Sequence, residues 1–114
     1  MTDCIFCKIV NKEIPTKFID ETENFLAFPD VNPQTPGHCL VIPKKHYANI
    51  FELPKELGNE LVDFIKKIAD IQVKKNNANS FKLAQNNGEE AGQVVMHLHF
   101  HIIPRKKGDS YRGV

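Results

Sequence analysis

The sequence predicts an α+β fold: an antiparallel sheet of about five strands covered by one long helix, with a short helix near the N-terminus. Three observations carry this. Near the C-terminus, His97, His99 and His101 alternate with Leu98, Phe100 and Ile102, the period-two pattern of a strand with two different faces. From Pro54 onward, Leu57, Leu61, Phe64, Ile65, Ile68 and Ile71 recur at three- and four-residue steps, the stripe of an amphipathic helix. The other apolar runs are short and bounded by turn formers, and strands outnumber helices.

Taken in order, Ile5 to Val10 reads as a short helix ended by the turn Asn11-Lys12-Glu13-Ile14-Pro15. Lys17 to Asp20 and Asn24 to Phe28 read as two strands with Glu21-Thr22-Glu23 as their turn. Asp30 to Gly37 is dense in turn formers and reads as a loop. His38 to Pro43 is an apolar run, a buried strand that the proline ends. Pro54 suits the first turn of the long helix, where a missing N–H costs nothing, and the helix fades by Lys75-Asn76-Asn77. Lys55, Glu56, Glu60, Lys66 and Lys67 fall largely on its other face. Phe81 to Gln85 reads as a strand, Asn86 to Gly92 as a glycine-containing loop, and Met96 to Ile103 as the histidine strand. Residues 1–114 form a single domain on this reading.

With 15 basic and 14 acidic residues the formal net charge is +1. At that balance neither nucleic acid nor a membrane is an expected partner, and Lys44-Lys45 and Arg105-Lys106-Lys107 are short enough to be solvated surface. No stretch is long and apolar enough to span a bilayer, and Asp3, Cys4 and Lys8 stand where a signal core would lie, so a cytoplasmic location is expected. Three cysteines suit no disulfide framework. Cys39, alone in an apolar strand, reads as a small core residue. Cys4 and Cys7 form a C-x-x-C pair, which has the spacing of half a zinc site, of a redox dithiol or of two free thiols. The redox reading lacks the strand that usually precedes such a pair.

Three of the chain's five histidines fall on one strand face. Imidazole near neutral pH can serve as nucleophile, proton donor or metal ligand, so a polar edge that happens to carry histidine is the weaker explanation. The combination of Pro36-Gly37-His38, Val41-Ile42-Pro43-Lys44-Lys45-His46, Gly92-Gln93 and the H-x-H-x-H strand resembles the histidine triad superfamily. More narrowly it is similar to the Hint branch, with a C-x-x-C start like that of bacterial members. The similarity runs from about Cys4 to Pro104.

That resemblance implies a hydrolase that binds a nucleoside monophosphate group, of adenosine or another purine, and cleaves the bond from its α-phosphorus to a leaving group. It implies His99 as nucleophile, with a P–N bond that water breaks in a second step. His101 and His38 would direct N–H groups at phosphoryl oxygens, and Gln93 with the backbone N–H groups of Gly92 to Val95, Val94 among them, would complete that cradle. Asp30 matches the carboxylate that accepts from the ribose hydroxyls. Ile5, Phe6, Ile9, Phe28, Val31 and Leu40 match apolar positions that sandwich the base, though all six also read as plain core. Asn86 matches an amide near phosphate and ribose. Val94 stands where animal relatives often carry a serine that assists the leaving group. The tail after Pro104 is short and lacks tryptophan.

The resemblance also implies how the cysteines are used. Relatives, including the galactose-1-phosphate uridylyltransferase branch, bind zinc through two cysteines and two such histidines. The matching set here is Cys4, Cys7, His46 and His97. Four protein ligands would make the site structural and would tie the triad strand to the N-terminal segment. Nucleoside 5'-phosphoramidates are the expected substrates. The alternatives are a dinucleoside polyphosphate hydrolase or nucleotidyl transferase of the same superfamily, or a nucleotide-binding regulatory module with low turnover. A homodimer is expected too, because relatives pair helices and sheets about a two-fold axis. Ile68, Ala69, Ile71 and Val73 also suggest an apolar stripe wider than one sheet would cover.

Overall fold

The computed structural model describes residues 3–111; residues 1–2 and 112–114 lie outside it. A single antiparallel sheet organises the chain, in the order β1-β2-β3-β5-β4. Its strands are β1 (Asp20–Glu21), β2 (Phe25–Pro29), β3 (Cys39–Pro43), β4 (Ser80–Ala84) and β5 (Phe100–Arg105). The long helix α2 (Gly58–Lys75) covers one face and the short helix α1 (Ile5–Val10) lies on the other. The α+β architecture expected from the sequence is the one found.

Alternation along the strands builds two cores. Phe25, Ala27, Cys39, Val41, Leu98, Phe100 and Ile102 meet Leu61, Phe64, Ile65, Ile68 and Ala69 of α2. Leu26, Phe28, Leu40 and Ile42 point the other way, toward Phe6 and Ile9 of α1. The sheet is thus covered on both faces, and the runs Phe25–Phe28 and Cys39–Ile42 are buried throughout. Glu60 ties the helix to the β1–β2 turn. Its carboxylate accepts from the Thr22 hydroxyl at 2.6 Å, from Asn24 N–H at 3.0 Å and from the Asn24 amide at 2.8 Å.

Three elements begin three or more residues from where the sequence reading set them, each for a local reason, and the other strands shift by a residue. The first strand is Asp20–Glu21 rather than Lys17–Asp20. In its register Asp20 faces Ala27, so Phe18 would face Pro29, which has no N–H to give. The regular helix begins at Gly58, because Lys55–Leu57 winds as a tighter 3₁₀ turn after Pro54. The histidine strand begins at Phe100 rather than Met96. Val41 faces Phe100, so continuing the ladder would set Leu98 against Pro43, again a residue without a donor. The chain instead docks on the loop beyond β3, where Leu98 N–H donates to Tyr47 O at 2.7 Å.

The helix stripe is narrower than the sequence suggested. Ile68 and Ala69 are buried against the sheet and Ile71 packs on the same core. Within the helix and sheet that form this core, the exposed large apolar side chains are Val62 of α2 and Phe81 and Leu83 of the edge strand β4. Among the described residues, no helix is long and apolar enough to cross a membrane.

Candidate active site and metal centre

Although the regular strand starts late, the alternation holds. Leu98 turns into the α2 core with Phe100 and Ile102. His97, His99 and His101 turn to the α1 face, where Phe6 sits edge-on to His97 and His99 with ring centroids 5.7 and 5.2 Å away. The His99 and His101 rings are 5.1 Å apart.

Hydrogen bonds decide which nitrogen of each ring carries a proton. His99 Nδ1 lies 2.8 Å from the backbone carbonyl of His97, an obligate acceptor, so Nδ1 holds the hydrogen and Nε2 presents its lone pair. Nε2 has no hydrogen-bond partner among the described residues, and the ring is only 8% exposed. In the neutral ring this bond selects the tautomer that carries its hydrogen on Nδ1 and leaves Nε2 free.

His38 is fixed from the opposite side. Gln34 N–H donates to its Nδ1 at 2.9 Å, so the His38 proton is on Nε2, which lies 3.0 Å from His101 Nδ1. His101 therefore accepts at Nδ1 and donates from Nε2. The Asp30 carboxylate flanks the pair, 3.4 Å from His38 Nε2 and 3.8 Å from His101 Nδ1, and its other oxygen accepts from Asn32 N–H at 2.9 Å. Burial and the neighbouring His99 and His38 push His101 down to about 4, against the pull of Asp30. Burial likewise lowers His38. Both rings are neutral at pH 7.

His38 turns its nitrogens toward protein partners. Both of its nitrogens are engaged within the protein, so it orients His101 and leaves the outward N–H to that residue. Gln93 does likewise. Its amide lies inside the loop, with Oε1 accepting from Gly88 N–H at 2.7 Å and Nε2 donating to Ala48 O at 2.6 Å and Val95 O at 3.0 Å. Gly92 N–H and Gln93 N–H close the 3₁₀ turn onto Glu89 O and Gly88 O. Of the expected backbone cradle, only Val94 and Val95 keep N–H groups without a partner among the described residues. Gly92 takes φ +95°, and Asn86 donates to its carbonyl at 3.4 Å.

The apolar six divide. Phe6, Ile9, Phe28 and Leu40 are buried together in the α1 core, with Phe6 and Phe28 in edge contact at 5.7 Å. Ile5 and Val31 are exposed beside them, Val31 at 89%, and Val94 is exposed at 87%.

Cys4, Cys7, His46 and His97 meet in one cluster. His97 Nε2–H donates to Pro43 O at 2.8 Å, which leaves its Nδ1 lone pair facing Cys4 Sγ at 3.3 Å, Cys7 Sγ at 3.6 Å and His46 Nδ1 at 3.2 Å. Zinc–nitrogen bonds of about 2.0–2.1 Å and zinc–sulfur bonds of about 2.3 Å set tetrahedral corners about 3.3 Å (N···N) and about 3.6 Å (N···S) apart. The cluster matches those spacings, and its backbone-anchored histidine is the arrangement metal ligands use. Without a cation, burial and the Cys4 thiol push Cys7 up to about 11. Asp30, His38 and His101 also converge. There, however, the Gln34 N–H keeps the proton on His38 Nε2, the atom a metal would need. The first cluster suits a metal and the second suits a proton.

A family model described as HIT domain matches residues 11–108. The chain belongs to the HIT family. An uncharacterised HIT-like protein of Methanocaldococcus jannaschii is 48% identical over 106 residues, spanning 93% of this chain and 81% of that protein. The adenosine 5'-monophosphoramidase of Schizosaccharomyces pombe is 42% identical over 111 residues, spanning 97% and 80%. A zinc-bound histidine triad family protein of Mycobacterium smegmatis superposes with TM-score 0.90 at 37% identity, over 97% of this chain and 81% of that one. HIT membership accounts for the triad face. It does not single out Gln34 or Pro43, whose roles are played by a backbone N–H and a backbone carbonyl. No side-chain pattern could have marked them.

Proposed function

We propose that this HIT protein hydrolyses purine nucleoside 5'-phosphoramidates, adenosine derivatives foremost, through a nucleotide held covalently on His99. The observation that carries this is the bond from His99 Nδ1–H to the His97 carbonyl, which in the neutral ring leaves the Nε2 lone pair free to attack. The phosphoramidase named among the relatives, similar over nearly the whole chain, supports the substrate class.

In the first step Nε2 of His99 attacks the α-phosphorus, and the phosphorus–nitrogen bond of the leaving amine breaks. The amine leaves with a proton taken from solvent, while His101 Nε2–H, held in that orientation by His38 Nε2–H on its Nδ1, donates a hydrogen bond at the reacting phosphoryl group. In the second step water attacks the same phosphorus and gives its proton to solvent, and the phosphorus–His99 bond breaks to release the nucleoside monophosphate. The N–H groups of Val94 and Val95, without partners among the described residues, would receive phosphoryl oxygens. Ile5, Val31 and the aromatic edge of Phe6 offer apolar cover for the base, and Asp30 a carboxylate for the ribose. A zinc ion on Cys4, Cys7, His46 and His97 would act as a fixed cross-link with no open position. The zinc-bound relative supports the choice of zinc, and the convergence of the four side chains supports the ligand set. A homodimer belongs to the same reading, since Phe81 and Leu83 leave the β4 edge apolar and open.

Rapid acid quench with a labelled adenosine phosphoramidate tests the mechanism. The label should appear on the peptide that contains His99; turnover with no protein-bound label at any time would overturn it.

A further inference from the structure

His97 belongs to two sites at once. Its Nδ1 stands in the cluster with Cys4, Cys7 and His46, and its backbone carbonyl accepts the Nδ1–H of His99. Phe6 is a second link. It lies between the two cysteines in sequence and its ring touches those of both His97 and His99. A displacement of Cys4 or Cys7 therefore reaches His99 by two short routes, one through the backbone and one through packing.

The two thiols are placed to react with each other. Both are free and half-buried, within reach of a small oxidant. Cys4 caps α1, with Cys7 N–H on its Sγ at 3.3 Å. The two sulfurs lie within 4.8 Å of each other, whereas a disulfide sets them about 2.0 Å apart. Closing the bridge must draw the two sulfurs together and out of their places around His97 Nδ1, and the turn that carries Phe6 between them moves with it. It also removes two of four donors, since a disulfide sulfur no longer offers a thiolate to a cation.

We propose that Cys4 and Cys7 form a redox switch on the histidine site: their oxidation to a disulfide expels the metal and frees His97 and Phe6 from the positions that hold His99 in its nucleophilic tautomer. The effect on turnover rests on the nucleotidyl-histidine reading above. The oxidant is a hydroperoxide. One thiolate attacks the O–O bond and becomes a sulfenic acid, and the second displaces hydroxide from that sulfur to form the S–S bond. The two sulfurs together lose two electrons. Hydrogen peroxide takes these with two protons from solvent and becomes two waters, and zinc leaves as the divalent ion, its oxidation state unchanged. Cys39 takes no part, because it is fully buried in the core on the α2 face of the sheet.

The test treats the zinc-loaded full chain with stoichiometric hydrogen peroxide. The mass should fall by two hydrogens, and one zinc should be released per disulfide. The nitrogen-15 signature of His99 protonated at Nδ1 alone, recorded without substrate, should give way to a tautomer mixture. Turnover should fall by about 10–100-fold. Dithiothreitol with added zinc should restore all four. Cys39→Ser should respond like the parent, whereas Cys4→Ser and Cys7→Ser should form no intramolecular disulfide and show the altered His99 signature from the start. A disulfide with zinc released but an unchanged His99 signature would overturn the proposal, as would thiols that survive peroxide with zinc in place. Thiol, metal and tautomer are read without substrate. A chain inactive on phosphoramidates before treatment would therefore count against the function above and leave the switch to be judged on those three.

Discussion

The ring of His99 is held by the backbone of His97, through an Nδ1–H···O=C bond of 2.8 Å. One main-chain acceptor thereby selects the tautomer, and the free Nε2 lone pair follows from it. Replacing His99 with Asn should lower kcat by roughly 10⁴-fold or more, as removal of a nucleophile does. Binding of adenosine monophosphate should stay within a few fold, because the apolar cover and phosphate donors are untouched. Steady-state kinetics with titration calorimetry check both, and substantial turnover by His99→Asn would sink the mechanism.

His38 acts through His101. Removing it leaves His101 Nδ1 without a donor, so the ring is free to turn or to carry its proton on the wrong nitrogen. His38→Ala should lower kcat about 10–100-fold with KM little changed. Gln34→Pro, which deletes the N–H on His38 Nδ1 and leaves His38 in place, should give a milder loss in the same direction. If His38→Ala raised KM alone, His38 would be a direct phosphate ligand instead.

Acid should weaken the fold through these two rings. Both have folded-state pKa values below the usual 6.5, His101 at about 4. As pH falls through 6.5 the unfolded chain gains protons that the folded chain refuses, so stability drops between about pH 6.5 and 4 and is fully present above that window. Urea melts across this range should show the slope, and His101→Phe should flatten it. A slope that is unaltered in His101→Phe would assign the loss to other groups.

Much of this was legible in the sequence, and what was not has a common cause. Alternation from Met96 placed three imidazoles on one face, and the stripe from Leu57 placed the helix, because side-chain periodicity is written residue by residue. The strand ends were misplaced where a proline on the partner strand, Pro29 or Pro43, denied a donor to the ladder. That information lies across the sheet and not along the chain. The hydrogen-bond partners of His38 and Gln93 were not legible for a related reason. Residue type says that an imidazole or an amide can donate, whereas only the fold says which of its atoms are already engaged.

Purified protein should carry about one zinc per chain. Cys4→Ser should lose metal and melting temperature together, because binding energy at a four-ligand site is folding energy. Elemental analysis and thermal melts with and without a chelator are the measurements. A chelator that strips the metal with no change in melting would make the site peripheral to the fold, and protein prepared without chelator and free of metal would leave Cys4 and Cys7 as plain thiols.

The last prediction concerns β4. It ends the sheet, pairing only with β5 among the described residues, so its outer edge is placed to take a partner strand. In its register Leu83 faces Ile102 and Phe81 faces Pro104, which sets both side chains on the α2 face, and they are 48% and 42% exposed. Natural sheets protect such edges with charge, bulges or cover, and Lys82 between them is the one charge on this strand. A second copy, edge to edge about a two-fold axis, would bury both residues and pair that edge. Sedimentation at micromolar concentration should give about twice the 13.0 kDa of one chain. Leu83→Lys should shift it to the single-chain mass, with the melting temperature becoming independent of protein concentration. A parent chain that sediments near 13.0 kDa would instead make this edge a monomer's surface, with Lys82 its only guard.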